Sequence, residues 1–145
     1  MERAVIDASV AVKWFVNEKD SDMALQLRSS YLNGLVELVA PNLILYEVAD
    51  ALRFHPHYDF TEANLLDSID ALRNMQIAVA PTTDTWLKAF SISLSGNLSI
   101  YDAVYIAMAE VLKTRLITSD KGLAERLDGN LRFRVRLLQD LKSSD

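Results

Sequence analysis

Ala4-Val5-Ile6-Asp7-Ala8-Ser9 sets a short apolar run directly before an acid, and a helical pattern follows. That order reads as a parallel strand with Asp7 at its carboxyl end, the place where open α/β sheets hold their ligands. Leu116-Ile117-Thr118-Ser119-Asp120 repeats the arrangement near the other end of the chain. Between these two units, strand and helix patterns alternate. A strand at about 3–6 leads to a helix at 7–16, and a second helix at 20–33 stops at Asn33-Gly34. A strand at 36–40 ends at Pro41, and a helix at 42–54 is broken by His55-Pro56-His57. A helix at 61–74, a short strand at 77–79 and a helix at 83–95 come next. Ser99-Ile100-Tyr101-Asp102 has capping-box form and opens a helix to about Lys113. After the strand at 116–118 come a helix at 120–127, a turn at Asp128-Gly129-Asn130 and an alternating strand at 132–137. Such alternation predicts βαβ units. The expected fold is α/β: a three-layer α/β/α sandwich with a short, mostly parallel sheet of four or five strands.

Length and composition bound the rest. The 145 residues fit one domain, 1–145. Hydrophobic residues at 50% and charged residues at 24% exclude disorder as a description of the whole chain. With no cysteine there is no disulfide framework, Cys-ligated zinc, iron–sulfur cluster or Cys nucleophile. No apolar run reaches the length of a membrane span, and the first one is too short for a signal peptide. The expectation is a cytoplasmic protein. A net charge of −5 excludes a uniformly basic nucleic-acid binder, but not one that touches nucleic acid locally.

Four acids stand apart from the other sixteen. Asp7 and Asp120 follow strands; each also suits the N-cap of the helix behind it. Glu47 is the only charge in Leu43-Ile44-Leu45-Tyr46-Glu47-Val48-Ala49. A helix apolar nearly all round is a buried one, and a buried carboxylate needs a partner or a metal. A salt bridge to an arginine or a rim position would also satisfy it. Asp102 is the only charge in residues 100–109, although it could simply complete the Ser99 capping box. In a doubly wound sheet these four positions can converge on one crevice. Two carboxylates about 4 Å apart repel by about 4 kcal/mol at an effective dielectric near 20. A cluster of four therefore requires protonation or a cation. Hard oxygen donors without His or Cys suit Mg2+ or Mn2+, and such sites serve phosphoryl or phosphodiester hydrolysis.

Val5-Ile6-Asp7-Ala8-Ser9, Tyr46-Glu47-Val48-Ala49 after a proline, Ser99-Ile100-Tyr101-Asp102-Ala103, and Thr118-Ser119-Asp120 after a strand resemble a PIN domain. The resemblance is closest to the VapC toxins of toxin–antitoxin pairs, and it spans Ala4 to about Leu137. It implies a magnesium-dependent ribonuclease with Asp7, Glu47, Asp102 and Asp120 as the catalytic and metal-binding acids. Ser9 and Thr118 would be supporting hydroxyls. It also implies that the first strand lies beside the strand preceding Asp120, that the chain forms a homodimer, and that a small VapB antitoxin inhibits it. One departure is Asp50, where the family often has Asn; on the face of Glu47 it could add a fifth acid or point away.

Other readings fit less well. A haloacid-dehalogenase-type phosphatase needs a second Asp where this chain has Ser9, and a flap nuclease usually carries long insertions. A catalytically inactive PIN-like RNA- or protein-binding module remains the alternative. Lys13, Lys113, Arg115, Lys121 and Arg126 could receive phosphates, though ordinary solvated charge accounts for most of them. Arg132, Arg134 and Arg136 would share one face of an edge strand and protect it. His55 and His57 make a poor metal cage in a loop, and Trp14 and Trp86 read as packing residues. The helices near 20–33 and 61–74 carry apolar faces that could hold a dimer contact or an antitoxin helix.

Overall fold

The computed structural model of the chain describes residues 2–141. Its strands are β1 (Glu2–Ile6), β2 (Val36–Pro41), β3 (Ala78–Val79), β4 (Arg115–Thr118) and β5 (Val135–Leu137). All pair in parallel, in the order β3-β2-β1-β4-β5. The chain moves outward from β1 to β2 and β3, then returns to place β4 on the other side of β1. The order therefore reverses between β1 and β4, and the carboxyl ends of those strands form the crevice of a doubly wound sheet. Register aligns Ile6 with Ile117, so Asp7 emerges beside Thr118.

The helices are α1 (Ala8–Ala11), α2 (Ser21–Leu32), α3 (Leu43–Arg53), α4 (Glu62–Asn74), α5 (Thr83–Gly96), α6 (Ile100–Val111), α7 (Lys121–Glu125) and α8 (Gly129–Arg132). Because parallel crossovers are right-handed, the connections running outward and those returning cover opposite faces of the sheet. This is the expected three-layer sandwich. α6 lies against β1, β2 and β4, with α5 packed on its outside. Ala103 through Ala109 are consequently all buried, as an apolar-all-round helix requires. α3 behaves differently: Ile44, Val48 and Leu52 are buried while Tyr46 is 76% exposed. Full burial of that helix, the expectation from its apolar sequence, is not what forms. Among the described residues no helix is long and apolar enough to cross a membrane.

Two further expectations need correction. The helix expected over 7–16 is only α1 followed by a 3-10 turn, Val12–Trp14. Val10, Val12 and Val16 are β-branched and lower helix propensity there, while the Trp14 indole is anchored on the Ala24 carbonyl at 2.8 Å. The strand expected over 132–137 is only β5. The Asp128 side chain accepts from Asn130 N, and Arg132 N reaches the Asp128 carbonyl, so the preceding residues coil into α8. The arginine stripe dissolves accordingly: Arg132 ends α8, and Arg134 pairs with Glu110 at 2.7 Å. Exposed apolar side chains are densest on α5, at Trp86, Leu87, Phe90 and Leu94. Trp86 does pack on Phe90, with ring centroids 5.8 Å apart, but both remain substantially exposed.

Candidate active site

Asp7 leaves β1 in an extended conformation and caps α1, its Oδ1 accepting from Ser9 N at 3.1 Å. The Ser9 hydroxyl donates to the same oxygen at 2.6 Å, and the Thr118 hydroxyl donates to Oδ2. These hydroxyls are themselves held: Ser119 N donates to Ser9 Oγ at 2.9 Å and Asp120 N donates to Thr118 Oγ1 at 3.0 Å. The backbone after β4 thus fixes the hydroxyls, and the hydroxyls fix Asp7. Asp7 is only 8% exposed. Burial pushes its pKa up to about 6; the Ser9 and Thr118 bonds oppose that rise and the nearby Asp120 charge adds to it.

Asp120 caps α7 by accepting from Leu123 N at 3.1 Å and is otherwise exposed. Capping and clustering are therefore not alternatives for Asp7 and Asp120, because each side chain does both. Asp102 does not complete the Ser99 box. Ser99 accepts from Asp102 N at 3.0 Å, but the Asp102 carboxylate accepts from Arg126, with Nη2 and Oδ2 3.2 Å apart. Glu47 is half-buried on α3, and the Tyr105 hydroxyl donates to its Oε1 at 2.5 Å. Burial raises the Glu47 pKa, the Tyr105 bond lowers it, and the Asp102 charge raises it again.

Tyr105, which the sequence reading did not single out, ties the acids together. It lies three residues after Asp102 on the same face of α6, and only 3% of it is exposed. Its hydroxyl is pushed well above the ordinary tyrosine range by burial first, then by the bond and charge of Glu47, then by the charges of Asp7 and Asp102. It therefore stays protonated and remains a donor to Glu47. Asp50 is exposed on α3.

The basic residues divide by position. Arg115 begins β4 in register with Ala4, at the opposite end of the sheet from Asp7. Arg115 instead lines a cavity of about 770 Å3, together with Glu2, Asp22 and Arg136. Lys113 lies two residues earlier, before β4 begins, so neither residue flanks the acids. Lys121 is exposed beside Asp120. Lys13 is not solvated charge: it is 8% exposed, donating to Glu18 Oε2 at 2.9 Å and the Lys19 carbonyl at 2.8 Å. Glu18 Oε1 also meets His55 Nε2 at 2.8 Å. A smaller cavity of about 330 Å3 lies between this group and Ser9, Ser119 and Asp120.

The donor chemistry at the crevice fits a hard divalent cation. It consists of carboxylate and hydroxyl oxygens, and the Asp120 charge makes Asp7 costlier to ionise, as the Asp102 charge does Glu47. The side chains are not closed on one centre, since no three Asp, Glu or His groups are grouped for a metal among the described residues. Arg126 holds Asp102 to one side.

Comparison with known proteins agrees with this geometry. The PIN domain family matches residues 4–129. Ribonuclease VapC3 of Pyrobaculum aerophilum is 29% identical over 128 residues, 86% of this chain and 94% of that one. Ribonuclease VapC9 of Mycobacterium tuberculosis is 30% identical over 122 residues, 83% of this chain and 88% of that one. The crystal structure of PAE2754 from Pyrobaculum aerophilum superposes with a TM-score of 0.62 at 19% identity, covering 95% of this chain and 85% of that one, which establishes the shared fold. With the match running from β1 to the start of α8, this chain belongs to the PIN domain family and groups with its VapC members.

Proposed function

We propose that this protein is a magnesium-dependent endoribonuclease and the toxin component of a VapBC-type toxin–antitoxin system. The observation that carries the reading is Asp7: a carboxylate buried at the switch point, held by two fixed hydroxyls and facing a second carboxylate, Asp120. Burying that charge beside a second carboxylate costs stability, and a cation relieves it. The relatives named as VapC ribonucleases add the substrate class.

Asp7 and Asp102 are the residues that would hold the ion, with Glu47 and Asp120 completing the set; Arg126 engages only Oδ2 of Asp102. Magnesium, or manganese in its place, neutralises the phosphate and acidifies a water when bound. Ser9 and Thr118 keep both oxygens of Asp7 in place. Tyr105 fixes the rotamer of Glu47, and burial raises the Glu47 pKa, which makes its carboxylate a better acceptor for the attacking water's proton. In-line attack then leaves a 5′-phosphate and a 3′-hydroxyl. The protein acts in the cytoplasm as a homodimer, and a VapB-type antitoxin restrains it. One observation favours a catalytically inactive binding module instead, namely Arg126 on Asp102.

The test is cleavage of a mixed-sequence single-stranded RNA with Mg2+, with EDTA, and by Asp7→Asn. Cleavage that needs both the metal and Asp7 is expected. An Asp7→Asn protein as active as the wild type would overturn the assignment, and absence of both cleavage and a saturable Mg2+ site would favour the binding module.

A further inference from the structure

We infer that the cavity beside Asp120 reads a guanine base next to the cut, with the Glu18 carboxylate accepting from the N1–H and N2–H of that guanine. The inference rests on the ribonuclease reading for its ligand class. Its geometry stands on the Glu18 cluster, which that reading does not use. Glu18 is held from behind on both oxygens, by His55 Nε2 at 2.8 Å and Lys13 Nζ at 2.9 Å. His55 Nδ1 accepts from His57 N at 3.2 Å, so the ring proton sits on Nε2 and points at Glu18. The Glu18 backbone is fixed as well, its N–H donating to Ser21 Oγ at 2.9 Å. The side chains of Lys13 and His55 are 9% and 10% exposed against 30% for Glu18, so the carboxylate is the most open part of the cluster.

A carboxylate has about four accepting positions, and two are filled here. One accepting position is left on each oxygen. Burial raises the Glu18 pKa, but the His55 and Lys13 bonds and the Lys13 charge outweigh it and hold the group below its usual value, so it is ionised at neutral pH. Among the four RNA bases only guanine presents two adjacent donors, N1–H and N2–H, on one edge. Adenine and cytosine offer a single amino group, and uracil a single N3–H. Guanine also carries the O6 acceptor next to N1, and Lys13 has a third hydrogen beyond those given to Glu18 and Lys19.

The site is also in the right place. Ser9 and Asp120 line the same cavity, so a base seated against Glu18 is one short backbone step from the acidic crevice. Its volume of about 330 Å3 lies at the small end for ligand pockets. Ser119 lines it too, and among the described residues the buried Ser119 hydroxyl has no hydrogen-bond partner, a group that a ligand could satisfy. A bidentate pair of this kind discriminates roughly tenfold or more against other bases.

Two readouts test the inference. The first is titration of the four nucleoside 5′-monophosphates into the whole protein, followed by NMR at the His55 ring and the Ser119 amide. GMP should saturate at a concentration at least tenfold below AMP, CMP and UMP, and Glu18→Gln should erase the difference. Ser119→Ala removes a hydroxyl that no group among the described residues uses, so it should weaken GMP severalfold without lowering the melting temperature. That variant keeps the test open should Glu18→Gln fold poorly. The second readout is sequencing of cut sites in a random RNA, where guanine should flank the cut for the wild type and not for Glu18→Gln. Equal affinities for the four nucleotides, or a guanine preference untouched by both variants, would overturn the pocket. Cleavage without guanine preference removes the pocket and leaves the ribonuclease. Selective GMP binding without cleavage supports the pocket and removes the ribonuclease.

Discussion

At Asp7 the cost of the site falls on one carboxyl group. Its folded pKa is about 6 against an ordinary 3.8. The folded state therefore binds more protons than the unfolded chain between those values, and stability falls as pH rises through that window. The full difference corresponds to about 3 kcal/mol above pH 6. Asp7→Asn removes the charge but pairs less well with two donating hydroxyls, so a gain of about 1–2 kcal/mol is expected at pH 7.5 in EDTA. The gain should vanish near pH 4, where Asp7 is already largely neutral. Thermal melts of both proteins across pH check it; a variant less stable than wild type at pH 7.5 contradicts it. Tyr105→Phe probes the second carboxylate. Loss of its bond to Glu47 removes a force that lowers the Glu47 pKa. The acid limb of the pH–rate profile should move to higher pH and kcat should fall by about tenfold. A lower kcat with an unmoved limb would mean that Tyr105 supports only the packing of α6.

At the scale of elements, the short helix α7 is where stability and site geometry oppose each other. Gly122 sits in its first turn, and a Cβ there would lie 3.2 Å from Asp120 Oδ1. Alanine is the better helix former by about 1 kcal/mol, but here its methyl crowds the capping carboxylate. Gly122→Ala should leave the melting temperature nearly unchanged and weaken Mg2+ binding severalfold by calorimetry, because Asp120 must turn away. Unaltered affinity would place Asp120 outside the metal site. The elements also explain what the sequence could reveal. Asp7 and Asp120 were legible because strand, acid and helix are contiguous there, and parallel topology puts such acids at one end. Asp102 was legible as a lone charge in an apolar helix. Tyr105 was not, because a tyrosine among Ala, Val and Ile reads as core until α3 is known to lie opposite. Lys13, Glu18 and His55 meet only after the loop behind α3 folds back, a contact without local periodicity. The strand over 132–137 failed because Asp128 turns the chain into α8 first, and alternation in sequence does not reveal a cap that overrides it.

For the whole molecule, these local costs combine into a linkage between metal, proton and fold. Four acids stand around one crevice of a protein with net charge −5, and two of them have raised pKa values. A ligand that binds only the folded state stabilises it by about 2.7 kcal/mol at a hundredfold excess over its Kd. For a chain of this size that is a rise in melting temperature of roughly 5–11 °C. Saturating Mg2+ should therefore raise the melting temperature relative to EDTA at pH 7.5, where Asp7 is ionised. At pH 5.5 Asp7 holds a proton much of the time, so the ion must displace it and the same Mg2+ concentration should stabilise less. Calorimetry should show the counterpart, with proton release on Mg2+ binding that is larger at pH 5.5 than at 7.5. Asp7→Asn should lose both the stabilisation and the proton release. A Mg2+ effect of equal size at the two pH values, retained in Asp7→Asn, would mean that the ion binds elsewhere on the acidic surface, and Asp7 would then be a buried cap whose charge the fold tolerates without using.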